Sequence, residues 1–90
     1  MKILQTPTFS RQVKKLHKNQ YEQLNEAIGC IAEDPSIGDM KQGDLAGVRV
    51  YKFKMVNQLM LLAYAFYADE LQLVLLAVAS HENFYRDLKH

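Results

Sequence analysis

The sequence predicts an α+β domain: an N-terminal strand and an α-helical hairpin packed on a small, mostly antiparallel sheet, with a short C-terminal helix. Three observations lead there. Apolar residues recur at helical spacing between Pro7 and Asp34. From Val48 the period changes to two, and Leu59 to Val78 then stays mostly apolar. The last dozen residues, Ala79 to His90, switch to dense polar chemistry. Ninety residues with 49% hydrophobic and 23% charged side chains suit one modest globular core, so residues 1–90 read as a single domain.

Lys2 to Thr6 is short and half apolar, and reads as a first strand. Pro7 suits the first turn of a helix, where a missing N–H costs nothing. Phe9, Val13 and Leu16 follow at i, i+4 and i+7 as one apolar stripe. Arg11, Lys14, Lys15 and Lys18 point elsewhere, either as a solvated face or as contacts for a nucleic-acid backbone. Asn19 opens a second helix, with Glu22 as its capping-box partner. Tyr21, Leu24, Ile28 and Ile31 keep helical spacing, beside Ala27 and Ala32. Cys30 falls within this pattern and is expected to be buried and inert; as the only cysteine it excludes an internal disulfide. His17, at the hairpin turn, is expected to be exposed. The second helix ends near Asp34, because Pro35 disfavours helical geometry in the residue before it. Residues 34–47 read as a loop without a phosphate-binding glycine pattern.

From Val48 to Met55, Val48, Val50, Lys52 and Lys54 point one way, and Arg49, Tyr51 and Phe53 the other. Arg49 and Lys52 therefore cannot share a face of a regular strand. Val56-Asn57 offers a turn. Leu59 to Tyr67 is apolar on both faces and should be central. Ala68-Asp69-Glu70 turns, and Leu71 to Val78 returns as a second buried strand. Read as one segment, Leu59 to Val78 is long enough for a membrane. Asp69 and Glu70 near its middle argue for two strands instead. The N-terminal residues lack the pattern of a secretory leader, so a cytoplasmic location is expected.

In the last stretch, Ser80 is expected to cap a helix through its hydroxyl near Asn83, with Glu82 in the first turn. On that helix His81 and Tyr85 are four apart and share a face, as do Phe84 and Leu88; Glu82 and Arg86 form a side pair. From spacing alone, His81 reads equally as a hydrogen-bonded histidine at the core edge. Cys30, His17, His81 and His90 are scattered, so no metal site is expected, and no cofactor either. The net charge is +1, but residues 1–18 carry five basic side chains and no acid, and residues 19–47 carry six acids against Lys41 alone. That asymmetry permits a face that grips RNA.

The element order, the phrase Leu45-Ala46-Gly47-Val48-Arg49-Val50-Tyr51-Lys52-Phe53-Lys54 and the ending Ser80-His81-Glu82-Asn83-Phe84-Tyr85-Arg86-Asp87-Leu88-Lys89 together resemble the RelE/ParE superfamily of bacterial toxins, the toxin halves of type II toxin–antitoxin modules. Phe9 and the run Val13-Lys14-Lys15-Leu16 resemble the family's first helix. The resemblance implies one of two activities: ribosome-dependent cleavage of mRNA in the A site, or poisoning of DNA gyrase without nuclease chemistry. It also implies a cognate antitoxin protein. A histidine followed four residues later by an aromatic is similar to the ending of one nuclease branch, and His81 and Tyr85 match it. The resemblance thus implies an mRNA interferase with His81, Tyr85 and Arg49 as catalytic residues. Lys52, Lys54, Arg86 and Lys41 would hold RNA phosphates. Histidine suits the proton transfers because an unperturbed imidazole titrates at about pH 6.5. The second proton-transfer group is not assigned; Glu82, Lys52 and Asp44 are candidates.

Overall fold

A computed structural model describes residues 1–43 and 46–83. The elements are β1 (Lys2–Gln5), α1 (Pro7–Val13), α2 (Lys18–Glu33), β2 (Asp39–Met40), β3 (Arg49–Met55), β4 (Gln58–Tyr67) and β5 (Gln72–Ser80). The strands form one sheet in the order β1-β5-β4-β3-β2. β1 runs parallel to β5, and the other three pairings are antiparallel. The expected helical hairpin on a mostly antiparallel sheet is therefore present, and the run Leu59–Val78 is two strands around a turn. The expected C-terminal helix, with Phe84, Tyr85, Arg86 and Leu88, lies outside the described residues, as does Asp44. Among the described residues no helix is long and apolar enough to cross a membrane.

Helix α1 begins where Thr6 accepts the Phe9 N–H at 3.1 Å, with Pro7 in the first turn. Seven residues are too few to hold a helix alone, so packing of Phe9, 1% exposed, must hold it. Helix α2 starts two residues earlier than expected, with His17 rather than Asn19 at its N-cap. Gln20 Oε1, not Glu22, reaches back to the chain, accepting the His17 N–H at 2.8 Å. Leu24, Ala27 and Ile31 form the buried strip of α2. Tyr21 and Cys30 are exposed, which corrects the expectation for both. The strip faces β3, near the sheet edge, so the helix flank beyond it meets solvent; there Cys30 borders a hollow with Tyr51 and Phe53.

The loop between α2 and β3 is more ordered than its composition suggests. It contributes the two-residue strand β2, which pairs with β3 at the edge of the sheet. Two side chains opposite each other on β3 and β4, Arg49 and Tyr64, fasten it. The Tyr64 hydroxyl donates to Pro35 O at 2.6 Å and accepts the Gly38 N–H at 2.9 Å. Arg49 donates to Gly38 O at 2.8 Å and Ser36 O at 3.3 Å. Gly38 has to be glycine here, since a Cβ would lie 2.7 Å from the Tyr64 hydroxyl oxygen.

The core has two sides. Phe9, Leu24, Ala27 and Ile31 from the helices meet Met55, Met60, Leu62, Tyr64, Leu73, Leu75 and Val78 on the helix-covered face. Val50, Leu61, Ala63 and Ala77 form a smaller cluster on the second face. β4 contributes to both, as expected of the central strand. The β3–β4 turn is the expected Val56-Asn57, with φ of 48° and 67°. Asparagine tolerates that conformation, but a β-branched valine rarely adopts it. The Val56 N–H is held there by Gln23 Oε1 at 2.8 Å.

Candidate functional site

The site follows from strand parity. On β3, Tyr51, Phe53 and Met55 pack with the helices, so Val50, Lys52 and Lys54 take the second face. Val50 is buried there, whereas Lys52 and Lys54 are exposed. Pairing sets Lys52 against Leu61 and Lys54 against Leu59 on β4. Among the described residues, no helical side chain joins the cluster on this face.

His81 reaches the same face through an irregularity in β5. From Tyr67↔Gln72 to Tyr64↔Leu75 the strands keep one register; from Ala63↔Ala77 to Met60↔Ser80 they keep another, one residue further on. Leu76 is the extra residue of a β-bulge. Because side chains alternate, a slip of one residue transfers all that follow to the opposite face. Ala77 and Ala79 thereby join the second face, and His81 comes next in the alternation. The His81 N–H donates to Leu59 O at 3.1 Å, one ladder step beyond Ser80. His81 thus stands opposite Leu59, in one row with Lys54. Two interstrand steps, about 10 Å in all, separate the outer backbones of that row.

Helix α1 holds the bulge. The Thr6 hydroxyl donates to Leu76 O at 2.8 Å, and Gln12 Oε1 accepts the Val78 N–H at 2.7 Å. These side chains satisfy the edge of β5 where β1 has run out. Ser80 is the last residue of β5, and the helix it was expected to cap lies outside the described residues. The Asn83 N–H bonds to the Ser80 carbonyl oxygen at 3.1 Å, within a turn over residues 81–83.

Beside this row Asn57, Gln58, Leu59, Ser80, His81 and Glu82 line a shallow hollow of about 340 Å³. His81 and Glu82 are both exposed there. An imidazole and two ammonium groups on one surface can move a proton next to a bound anion and balance its charge.

Of the expected site residues, the structure brings together His81, Lys52 and Lys54. The Lys41 N–H bonds to Val48 O at 2.8 Å, which places Lys41 opposite Val48 at the far corner of the same face. Arg49 is not with them. It stands on the helix-covered face with its guanidinium committed to the carbonyls of Ser36 and Gly38. Tyr85 and Arg86 lie outside the described residues. Thr6, Gln12 and Leu76 were not foreseen, because local periodicity carries no sign of a bulge. Gln58 had a signal: it directly follows the turn that ends at the level of His81.

Comparison with known proteins gives the family and the fold of the chain. A family model described as the ParE-like toxin of type II bacterial toxin–antitoxin systems matches residues 3–89. The chain is similar in structure to the intact RelBE toxin–antitoxin complex of E. coli, with TM-score 0.69 and 19% identity, over 87% of this chain and 93% of that one. It is similar to the RelBE2 toxin–antitoxin complex of Mycobacterium tuberculosis, with TM-score 0.76 and 22% identity, over 89% and 96%. It is also similar to a YoeB/ParE toxin from Agrobacterium tumefaciens, with TM-score 0.72 and 17% identity, over 90% and 99%. Comparison with curated protein sequences gives no match.

Proposed function

This chain belongs to the ParE-like toxins of type II bacterial toxin–antitoxin systems, and from that premise we propose that it is a ribosome-dependent mRNA interferase. The reaction is attack of an RNA 2′-hydroxyl on the adjacent phosphorus. A base takes the 2′ proton, the P–O5′ bond breaks, and the departing 5′ oxygen takes up a proton, leaving a 2′,3′-cyclic phosphate. His81 performs one of the two proton transfers, and Glu82, in the same hollow, is assigned the other. Lys54 and Lys52 balance the charge that grows on the phosphate, with Lys41 at the far corner of the same face. On sequence grounds Tyr85 is the aromatic that stacks on a base, and Arg86 a further phosphate contact. Arg49 is assigned to the fold rather than to the reaction.

The observation that supports this reading is the row Lys54–Leu59–His81 on the second face, next to exposed Lys52. Induction of the chain is expected to stop translation, with new mRNA 5′ ends falling in phase with codons. His81→Ala is expected to lose those cuts while keeping the wild-type circular dichroism and thermal transition. Intact mRNA together with trapped gyrase–DNA complexes would overturn the reading in favour of gyrase poisoning. The solved E. coli and M. tuberculosis relatives are toxin–antitoxin complexes. A cognate antitoxin is likewise the proposed partner here, wrapping the toxin with a segment that folds on binding. Co-purification with the product of the adjacent gene tests it.

A further inference from the structure

A second hollow opens across the same end of the sheet, towards the helical hairpin. Lys15, His17 and Gln20 from the hairpin and Gln58, Ser80 and Asn83 from the sheet end line about 400 Å³. Gln58 and Ser80 also line the hollow at His81, so the two spaces meet over that rim. Four basic or imidazole side chains, Lys14, Lys15, His17 and Lys18, crowd the hairpin turn, and all are exposed. The first acid after them is Glu22, a full turn into α2, and residues 1–18 hold none. The three lysines gathered this closely favour an anionic occupant.

We infer that this groove binds the sugar-phosphate backbone of an RNA strand, beside the phosphate that lies at His81. Lys15, in the lining, and Lys18, exposed beside it at the hairpin turn, are its phosphate contacts. The inference rests on the RNA-cleaving reading above and adds a second binding segment to it. One strand passing over the rim at Gln58 and Ser80 reaches both hollows, and the side-chain amides of Gln20, Gln58 and Asn83 suit sugar and phosphate oxygens. A protein segment that folds on its target needs apolar anchoring points. Leu16, Met55, Met60 and Val78 also line the groove, but they are buried or half-buried in the core, and among the described residues no exposed large apolar side chain lines it.

The test is fluorescence anisotropy of the whole chain with a labelled twelve-nucleotide RNA carrying 2′-O-methyl groups, which cannot be cleaved, over a series of salt concentrations. Lys15→Gln with Lys18→Gln is expected to weaken binding on the order of tenfold at low salt. The slope of log affinity against log salt should fall by about 1.4, at about 0.7 per contact on a single strand. Lys2→Gln, at the far end of the sheet, should leave the slope unchanged. Wild-type affinity and slope in the double variant overturn the groove. If His81→Ala still abolishes cleavage in that case, the nuclease reading stands without it. Absence of RNA binding by the wild type, or a loss confined to a polyglutamate peptide, also overturns the inference, the latter in favour of an acidic protein partner.

Discussion

Thr6 is the residue on which the placement of His81 turns, and replacing it with valine isolates that role. Valine keeps the size and β-branching of threonine and removes only the hydroxyl. Two hydrogen bonds go: the cap on Phe9 N–H at 3.1 Å and the bond to Leu76 O at 2.8 Å. Loss of an N-cap costs about 1 kcal/mol, and leaving the bulge carbonyl without its donor about 1 kcal/mol more. The expected loss is about 2 kcal/mol, or roughly 8–16 °C in Tm for a domain of this size. Urea unfolding should show a lower midpoint at constant slope. Thr6→Ser keeps both bonds and should retain most of the stability. The amide of His81, bonded to Leu59 O, should exchange with solvent faster in the valine variant than in the wild type. A Thr6→Val variant within about 0.5 kcal/mol of wild type, or a Thr6→Ser variant that falls equally far, would refute the reasoning.

Tyr64→Phe leaves the buried Gly38 N–H and the Pro35 carbonyl without their partner and should cost about 2 kcal/mol in urea unfolding. Burial pushes the Tyr64 phenol above its ordinary value of 10.0. Its neutral form is therefore favoured in the folded state. That contribution is fully present below pH 10 and is lost as pH rises through the elevated folded value. The stability gap between wild type and Tyr64→Phe should thus narrow in alkali. A gap that does not change with pH would contradict this. Lys52→Gln with Lys54→Gln should reduce mRNA cleavage with no change in Tm. Arg49→Gln should do the reverse, lowering stability by about 1–2 kcal/mol by freeing the loop at Ser36 and Gly38, with cleavage by the folded fraction retained. Primer extension on induced cells and thermal unfolding of the purified variants separate the two effects.

The sequence by itself determined the class of the fold, the order of its main elements and one half of the site. Helical spacing from Phe9 to Ile31 and alternation from Val48 onward follow from the backbone periods of 3.6 and 2, and burial on either face leaves them written in the residues. The same alternation already separated Arg49 from Lys52 and Lys54. Which of these remained free was decided elsewhere, by the Pro35–Gly38 loop folding back to be held by Arg49 and Tyr64 over 11 to 29 residues of sequence separation. Cys30 and Tyr21 looked buried because helical spacing gives an angle around α2 but not the width of the sheet beneath it. The face taken by His81 was beyond any local pattern. Counted in regular alternation, it falls on the helix-covered side. One extra residue at Leu76, held by a hydroxyl 70 positions earlier in the chain, turns it to the side of Lys52 and Lys54. Side-chain alternation is a local property of a strand, but register is a contract between strands, and here a helix remote in sequence from both strands fixes it.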